Sequence, residues 1–233
     1  MGAGFANAQM YAKFSLAACL VVMIFLGNLA FVLSSDGYVL SKAASYATPA
    51  LASSNVAPEI ASAASADVLA FVKGESSTLS YASLFRPGEI SHLSDVRSRL
   101  MLSYLALYVS VALAAVSLLI LFLASGSLGK FLLVLRQFFF WSGIAALVLV
   151  GFAFILSMSF DSSFSAFHKI VFGSSQWAFP SDYLLVNLFT GSFFSAMAFD
   201  VFVGVLINAV LLIIVAAAIG AFWSLKYSAG VRQ

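Results

Sequence analysis

The chain has 233 residues, of which 63% are hydrophobic and 9% are charged. A soluble domain carries about 25% charged residues, so this composition excludes a soluble globular protein and indicates an integral membrane protein. The net charge of +2 without a basic patch argues against nucleic-acid binding, and the single cysteine excludes an internal disulfide framework.

Four apolar runs are long enough to cross a bilayer as helices, which takes roughly 20 residues. These runs are residues 14–32, 100–123, 137–158 and 201–223. We predict an all-α membrane protein, a four-transmembrane-helix bundle with a small extracytoplasmic cap made from the two outer loops. The predicted segments are 1–33 (N-terminal tail and first span), 34–99 (first outer segment), 100–158 (second and third spans with a short loop), 159–200 (second outer segment) and 201–233 (fourth span and tail).

Charged residues are distributed unevenly around the spans. One side carries bases without acids, namely Lys13, Lys130, Arg136, Lys226 and Arg232. All nine acidic residues lie on the other side, together with the remaining bases. The positive-inside rule therefore predicts that both termini and the short loop at 124–131 are cytoplasmic, and that the two longer connections face outward.

The first outer segment is rich in Ala and Ser, and one helix is predicted within it. Pro58 suits a first helical turn, apolar residues recur at helical spacing as far as Val72, and Gly74 suits a helix end. We expect this amphipathic helix to lie on the bundle or on the membrane surface.

A polar cluster at residues 89–99 directly precedes the second span and contains His92. A turn is predicted at Pro87-Gly88, after which Ser91 or Ser94 caps a helix that continues into the span.

Two further patterns have structural explanations. Asp95 and Arg99 are four residues apart, so a local ion pair on a solvated helix start explains them as well as a functional role does. Asn28 and Asn208 are lone amides within spans, where such residues commonly link helices.

The spans lack central charges, which argues against an ion pump or a proton-coupled transporter.

The second outer segment contains another predicted helix. Asp161 suits its N-cap and Gly173 suits its end. His168 shares one face of this helix with Phe164 and Phe167, so we expect the imidazole to point toward apolar surroundings.

Both histidines of the chain, His92 and His168, lie in outer segments next to spans. Imidazole takes and returns a proton near neutral pH, which suits acyl transfer at an ester, and lipid esters lie at headgroup depth. The pattern therefore indicates ester chemistry at the membrane surface. A serine-hydrolase elbow and a His-Glu-x-x-His motif are both absent, and a zinc site would need ligands beyond the two histidines.

Two runs of the sequence resemble the bacterial lipoprotein intramolecular transacylases. They are EISHLSDVRSRL at residues 89–100 and FHKIVFGSSQWAFPSDYLL at residues 167–185, the latter followed by Phe193-Phe194. The spans and outer segments match as well, so the resemblance covers nearly the whole chain. Where we expect a Pro-Glu pair before the double phenylalanine, this chain has residues 188–191, Leu-Phe-Thr-Gly, and thus no carboxylate.

The resemblance implies a bacterial cell-membrane enzyme whose active site faces outward. Its implied partners are membrane lipids and diacylglyceryl-modified lipoproteins, and the sn-2 acyl chain would move to the α-amino group of the lipoprotein's N-terminal cysteine. The family's catalytic histidines fall on His92 and His168. No cofactor is expected, because an ester already stores the needed reactivity. No metal-ligating residues are predicted, and a metal is kept as the weaker alternative.

We expect His168 to act as the general base, since an apolar face favours the neutral imidazole. His92 or Arg97 would donate hydrogen bonds to the oxyanion. The residues expected to contact the substrate are Glu89, Asp95, Arg97, Trp177, Phe179, Asp182 and Tyr183. An interfacial aromatic belt explains most of the aromatic members equally well.

Two alternatives remain open at the level of sequence. An acyl hydrolase acting on lipids or lipoproteins would use the same histidines with water and leave a free amine. A non-enzymatic membrane scaffold would be indifferent to replacement of either histidine.

Overall fold

The computed structural model describes residues 3–47, 51, 56–173 and 177–230, and within these residues it contains helices and no β-strand. The α-helices are α1 (Ala3–Leu33), α2 (Asp36–Tyr46), α3 (Pro58–Val72), α4 (Pro87–Ser125), α5 (Leu128–Ser157), α6 (Phe160–Phe172), α7 (Leu184–Leu188) and α8 (Gly191–Gly230), with a short 3₁₀ helix at Ala82–Leu84. Arg232, which entered the prediction of the topology, lies outside the described residues, as does Gln176 in the second resembling run.

Four of these helices, α1, α4, α5 and α8, are long and apolar enough to cross a membrane. The prediction of an all-helical membrane protein with four spans is therefore confirmed. The helices continue beyond the predicted spans, most clearly at α4, which begins at Pro87 although the span was predicted from residue 100. The extracytoplasmic cap stays a prediction.

The start of α4 differs from the sequence prediction. The helix begins at Pro87, where a proline is favoured because its missing N–H is not needed in the first turn. Ser91 and Ser94, predicted as caps, therefore lie within the helix, and Ser94 Oγ donates to the carbonyl of Ile90 instead. The predicted turn at Pro87-Gly88 is wrong because both residues are helical.

The second outer helix, α6, ends as predicted, at Gly173, whose φ of 67° is readily adopted by glycine. Its start differs by two residues: Ser159 occupies the N-cap position. Asp161 consequently lies in the first turn, where its charge still interacts favourably with the helix dipole.

The chain divides into two compact units. Unit 1 comprises Met1–Asn28, Ala106–Ala153 and Phe202–Gln233, and unit 2 comprises Leu29–Leu105 and Phe154–Val201.

Unit 1 combines small and larger apolar side chains in its core. Its core contains Ala12, Leu16, Cys19, Ala114 and Leu121. A Cβ added at Gly143 would lie 2.9 Å from the carbonyl oxygen of Ala209, so α5 and α8 approach closely there, as helices in membranes commonly do.

An amide pair links α1 to α8 within unit 1. Asn208 Nδ2 donates to Asn28 Oδ1 at 3.3 Å, which confirms the predicted linking role of these two residues. Gly204 makes room for the pair, since a Cβ there would lie 2.1 Å from Asn28 Oδ1.

Unit 2 has two neighbouring cores. In the first, Ala64, Val68 and Phe71 of α3 pack with Leu93 of α4 and Leu185 of α7. The predicted helix at Pro58 thus exists, and its apolar face lies in this core.

The second core of unit 2 joins α2, α3 and α8. It contains Val39, Ala43, Leu69, Phe193 and Met197. Polar contacts also connect α2 to α8. Lys42 of α2 forms an ion pair with Asp200 of α8, and the Tyr38 hydroxyl donates to the same carboxylate at 2.8 Å. Neither α2 nor its packing was anticipated from the sequence.

Candidate functional site

His92 lies in the second turn of α4, and the beginning of that helix is fixed by Glu89. The side chain of Glu89 is completely buried, with 0% exposure. Its Oε2 accepts a hydrogen bond from the N–H of Arg86 and its Oε1 accepts one from the N–H of Leu185, each at 2.7 Å. One carboxylate thus completes the N-termini of both α4 and α7 and fixes their separation.

This arrangement changes the interpretation of Glu89. We expected it to contact the substrate, but both oxygens are bonded to main-chain N–H groups and the side chain has no exposed surface. Its contacts are those of a positioning residue that holds the backbone on either side of His92.

His168 lies on α6 and is held by the main chain of its own helix. Its side chain is buried, and Nδ1 is 2.8 Å from the carbonyl oxygen of Phe164. A carbonyl can only accept, so Nδ1 carries the proton and donates, and Nε2 of the neutral ring bears a free lone pair. Burial lowers the pKa of His168, and the hydrogen bond to the Phe164 carbonyl offsets this only in part.

The two imidazoles come together inside unit 2. Their ring centroids are 6.0 Å apart and the ring planes are inclined by 31°. Phe172 contacts both rings, at 5.0 Å from His92 and 5.3 Å from His168. Phe172 was not predicted as a site residue, although its position four residues after His168 on the same helix was a usable signal.

Further aromatic side chains surround the two histidines. Phe164 and Trp177 pack against His168 with centroid distances of 4.0 and 4.7 Å, and Phe179 packs against His92 at 5.6 Å. Phe167, expected on the same face as His168, contacts the imidazole with a centroid distance of 5.5 Å and is 56% exposed. Burial among these rings lowers the pKa of both histidines, and the charge of Asp95 offsets this only in part at His92.

Trp177 brings one polar atom into these surroundings. Its Nε1 is buried and has no hydrogen-bond partner among the residues that the structure describes. Indole nitrogen is a donor only, so this N–H is available to an acceptor.

A second, more exposed group lies beside Phe179. Tyr183 stacks on Phe179 at 5.4 Å with the ring planes inclined by 15°, and the guanidinium of Arg86 lies 4.0 Å from the Tyr183 ring centroid. Arg86 also forms an ion pair with Asp182 at 2.7 Å. Of the expected substrate-contacting residues, Asp182 and Tyr183 thus belong together, and Phe179 connects them to His92.

The remaining expected residues lie in different settings. Arg97 donates to the carbonyl of Ser76 at 2.6 Å and stacks on Phe71 at 4.8 Å, so its guanidinium supports the loop after α3. Asp95 and Arg99 are both exposed and do not form the expected ion pair within the described part of the chain. In that same part, no group of three His, Cys, Asp or Glu residues is placed to hold a metal ion.

The family of the chain is shown by comparison with a family model. The family model described as lipoprotein intramolecular transacylase Lit matches residues 14–194. A solved structure of the membrane integral lipoprotein intramolecular transacylase Lit from Bacillus cereus has a TM-score of 0.71 and 17% sequence identity, and the match covers 94% of this chain and 99% of that one.

A structure of a histidine-to-arginine variant of the same Bacillus cereus protein has a TM-score of 0.67 and 15% identity, covering 95% of this chain and 96% of that one. At these identities the structural likeness concerns the fold, and the family assignment rests on the family model. No curated protein sequence matches the chain.

Proposed function

Because the chain belongs to the lipoprotein intramolecular transacylase family, it is a membrane acyltransferase, and we propose that it transfers the sn-2 acyl chain of a diacylglyceryl-modified lipoprotein to the α-amino group of the N-terminal cysteine. The product is a lyso-form lipoprotein with an amide-linked chain. The observation that carries this proposal is the pair of imidazoles, 6.0 Å apart in apolar surroundings, one of which has a free Nε2 lone pair.

His168 is the proposed general base. The attacking α-amino group loses a proton to His168 Nε2 as its nitrogen bonds to the ester carbonyl carbon. When the tetrahedral intermediate collapses, the bond from carbon to the sn-2 oxygen breaks, and that oxygen takes the proton from His168. Atoms and charge balance without water, cofactor or metal, because one ester is exchanged for one amide and one hydroxyl.

His92 is the proposed donor to the oxyanion. Sequence reasoning left Arg97 as an alternative, but Arg97 is bonded to Ser76 and packed on Phe71, whereas the His92 ring lies beside His168. Donor and acceptor belong to one lipoprotein molecule, so the enzyme's main task is to hold the amine against the ester in a reactive geometry. Phe179, Tyr183 and Trp177 are proposed to line the space in which this happens, with Asp182 beside them.

The membrane arrangement is part of the proposal. We infer that both termini are cytoplasmic, that segments 34–99 and 159–200 form an extracytoplasmic cap, and that the histidine pair faces outward. Uneven charge supports this arrangement, since the basic flanks without acids lie at the opposite ends of the spans. Diacylglyceryl lipoproteins and membrane lipids would then reach the site from the bilayer surface.

The test uses a reporter lipoprotein co-expressed with the protein, whose N-terminus is read by mass spectrometry. The wild-type protein is expected to give an N-acylated cysteine with one chain left on glycerol. His92→Ala and His168→Ala are each expected to lower this product about 10²- to 10⁴-fold, the usual range for loss of a proton-transfer group. Lys169→Ala, an exposed neighbour on α6, is the matched control and should retain activity.

Each other result has a definite meaning. A free amine with one chain lost identifies an acyl hydrolase. Full N-acylation in both histidine variants contradicts the proposed roles, and an unchanged reporter with the wild-type protein contradicts the proposed function itself.

A further inference from the structure

The indole N–H of Trp177 is a buried donor without an acceptor in the described part of the chain. Such groups are uncommon, because a buried N–H has given up its hydrogen bonds to water and gained nothing in return. An unpaired donor beside a candidate base therefore calls for a partner that is present only during function.

The neighbours of Trp177 show why it is unpaired. Its ring packs on His168 at 4.7 Å and on Phe164 at 6.3 Å. The phenyl ring offers no conventional acceptor, and the carbonyl of Phe164 bonds to His168 Nδ1 and not to the indole N–H. Because indole can only donate, its partner has to be an acceptor, and in the proposed reaction the substrate supplies one.

In acyl transfer from an ester, the strongest acceptor that appears beside the general base is the oxygen of the ester carbonyl. As the amine attacks, the π electron pair of the carbonyl moves onto this oxygen and makes it an oxyanion. A donor that is already fixed and shielded from water stabilises this charge more than it stabilises the starting ester.

We propose that Trp177 Nε1 donates a hydrogen bond to the carbonyl oxygen of the migrating acyl ester, and that this bond strengthens as the oxyanion forms. The inference rests on the proposed function and deepens it, since it assigns a second oxyanion donor beside His92. On collapse of the intermediate the electron pair returns to carbon, the sn-2 oxygen leaves with the proton from His168, and the indole N–H is released unchanged.

Two properties distinguish this donor from an imidazole. Indole N–H does not titrate in the physiological range, so its contribution is independent of pH. It is also held by ring packing against His168 and Phe164, so the donor keeps its alignment to the base during the reaction.

The test separates the N–H from the ring. The full-length protein in detergent micelles is assayed with a synthetic peptide carrying an N-terminal S-diacylglyceryl cysteine, and the single-turnover rate and half-saturation concentration are measured. Trp177 is replaced by phenylalanine and by benzothienylalanine, in which sulfur takes the place of N–H with almost no change of shape. Trp141→Phe, at a position 67% exposed, is the control.

Both Trp177 replacements are expected to lower the rate about 10²-fold, the usual loss for one oxyanion donor, while half-saturation stays unchanged. A benzothienylalanine variant with the wild-type rate overturns the inference, since Trp177 would then act by packing. A change in the half-saturation concentration alone also overturns the inference. Such a change would show that Trp177 binds the ester and the transition state equally.

Measuring His168→Ala in the same assay shows which of the two proposals has failed. If His168→Ala abolishes transfer while the benzothienylalanine variant retains it, the proposed function stands and only the role of Trp177 is lost. If His168→Ala retains transfer, the proposed base is lost, whatever the Trp177 variants do.

Discussion

Units 1 and 2 are both helical, but they bury different kinds of polar group. The buried polar residues of unit 1 within the described chain are Asn28, Ser110, Ser117 and Ser142, all neutral. Those of unit 2 include Glu89 and His168, which ionise. Burying ionisable groups costs free energy unless they are bonded, so unit 2 has the features of a region arranged for chemistry and unit 1 those of a region arranged for packing.

The difference also shows in what each polar contact joins. In unit 1 two amides bond to each other across α1 and α8, an arrangement that serves association of helices. In unit 2 a carboxylate bonds to two main-chain N–H groups and an imidazole bonds to a main-chain carbonyl. Polar side chains in unit 2 therefore orient backbone and ring, which is what a reacting geometry requires.

The largest expected effect on stability comes from Glu89. Glu89→Ala would leave the buried N–H of Leu185 and the part-buried N–H of Arg86 without acceptors, and an unsatisfied buried group costs about 1–3 kcal/mol. We expect a loss of about 3 kcal/mol in the free energy of unfolding, measured by denaturant titration in micelles. Faster amide exchange is expected at Leu185.

The matched control for that variant is Asp95→Ala, on the same helix but exposed. Its effect should stay within about 0.5 kcal/mol. Equal effects of the two substitutions would show that the buried carboxylate does not hold α4 and α7 together.

In unit 1, a single added methyl group should be costly. Gly204→Ala would place Cβ 2.1 Å from Asn28 Oδ1, and overpacking of this kind costs about 1–3 kcal/mol. Gly151→Ala is the control, because nothing lies within 4 Å of its added Cβ, and helix propensity alone should then stabilise by up to about 1 kcal/mol. Thermal unfolding of both variants measures this difference. Equal shifts of the two unfolding midpoints would contradict the packing argument.

The pH dependence of His168 follows from its environment. Burial lowers its folded-state pKa below 6.5, so the unfolded chain binds the proton more readily. The contribution of His168 to the free energy of unfolding is complete above the unfolded-state pKa. It is lost as the pH falls from 6.5 through the lower folded-state pKa.

Nitrogen-15 spectra of histidine-labelled protein measure this titration directly. They should show Nδ1 protonated, Nε2 bare and a midpoint below 6.5. The His92→Gln variant assigns the signals. A midpoint above 6.5, or a proton on Nε2 of the neutral ring, would contradict the assignment of His168 as a base at neutral pH.

The smallest expected effect belongs to Arg86 and Asp182. Their ion pair is 52% and 63% exposed, and exposed pairs contribute about 0.2–1 kcal/mol. A double-mutant cycle with Arg86→Ala and Asp182→Ala should give a coupling energy in that range that decreases with added salt. A coupling energy well above that range would show that this ion pair helps to hold unit 2 together.

Much of the fold could be predicted because lipid imposes strict requirements on a chain. A helix that crosses a bilayer needs a long apolar run, and each of the four predicted runs lies largely within a single helix. Helix ends were less predictable, since they depend on local hydrogen bonds. Thr190, for example, accepts from the N–H of Phe193 and so starts α8 at Gly191, well before the predicted span.

Unit 2 was harder to predict because its contacts are long-range. Val39 and Ala43 become buried through contacts with Leu69 and Phe193, which no local pattern around α2 reveals. The histidines were identifiable because the chain contains only two and both flank spans.

Their neighbours were less identifiable. Phe172 looks like any lipid-facing aromatic until the fold places it against both imidazoles. Glu89 looks like a solvated helix residue until the fold turns its carboxylate inward.

The acceptor that orients His168 belongs to the main chain of Phe164, and this has a consequence for mutational robustness. In Ser-His-Asp enzymes the group that aligns the histidine is a side chain, so one codon change can delete it. Here any amino acid at position 164 that keeps α6 helical supplies the same carbonyl. The hydrogen bond that orients the ring thus belongs to the helix itself, and a change of side chain at position 164 would alter the packing on His168 but not remove that hydrogen bond.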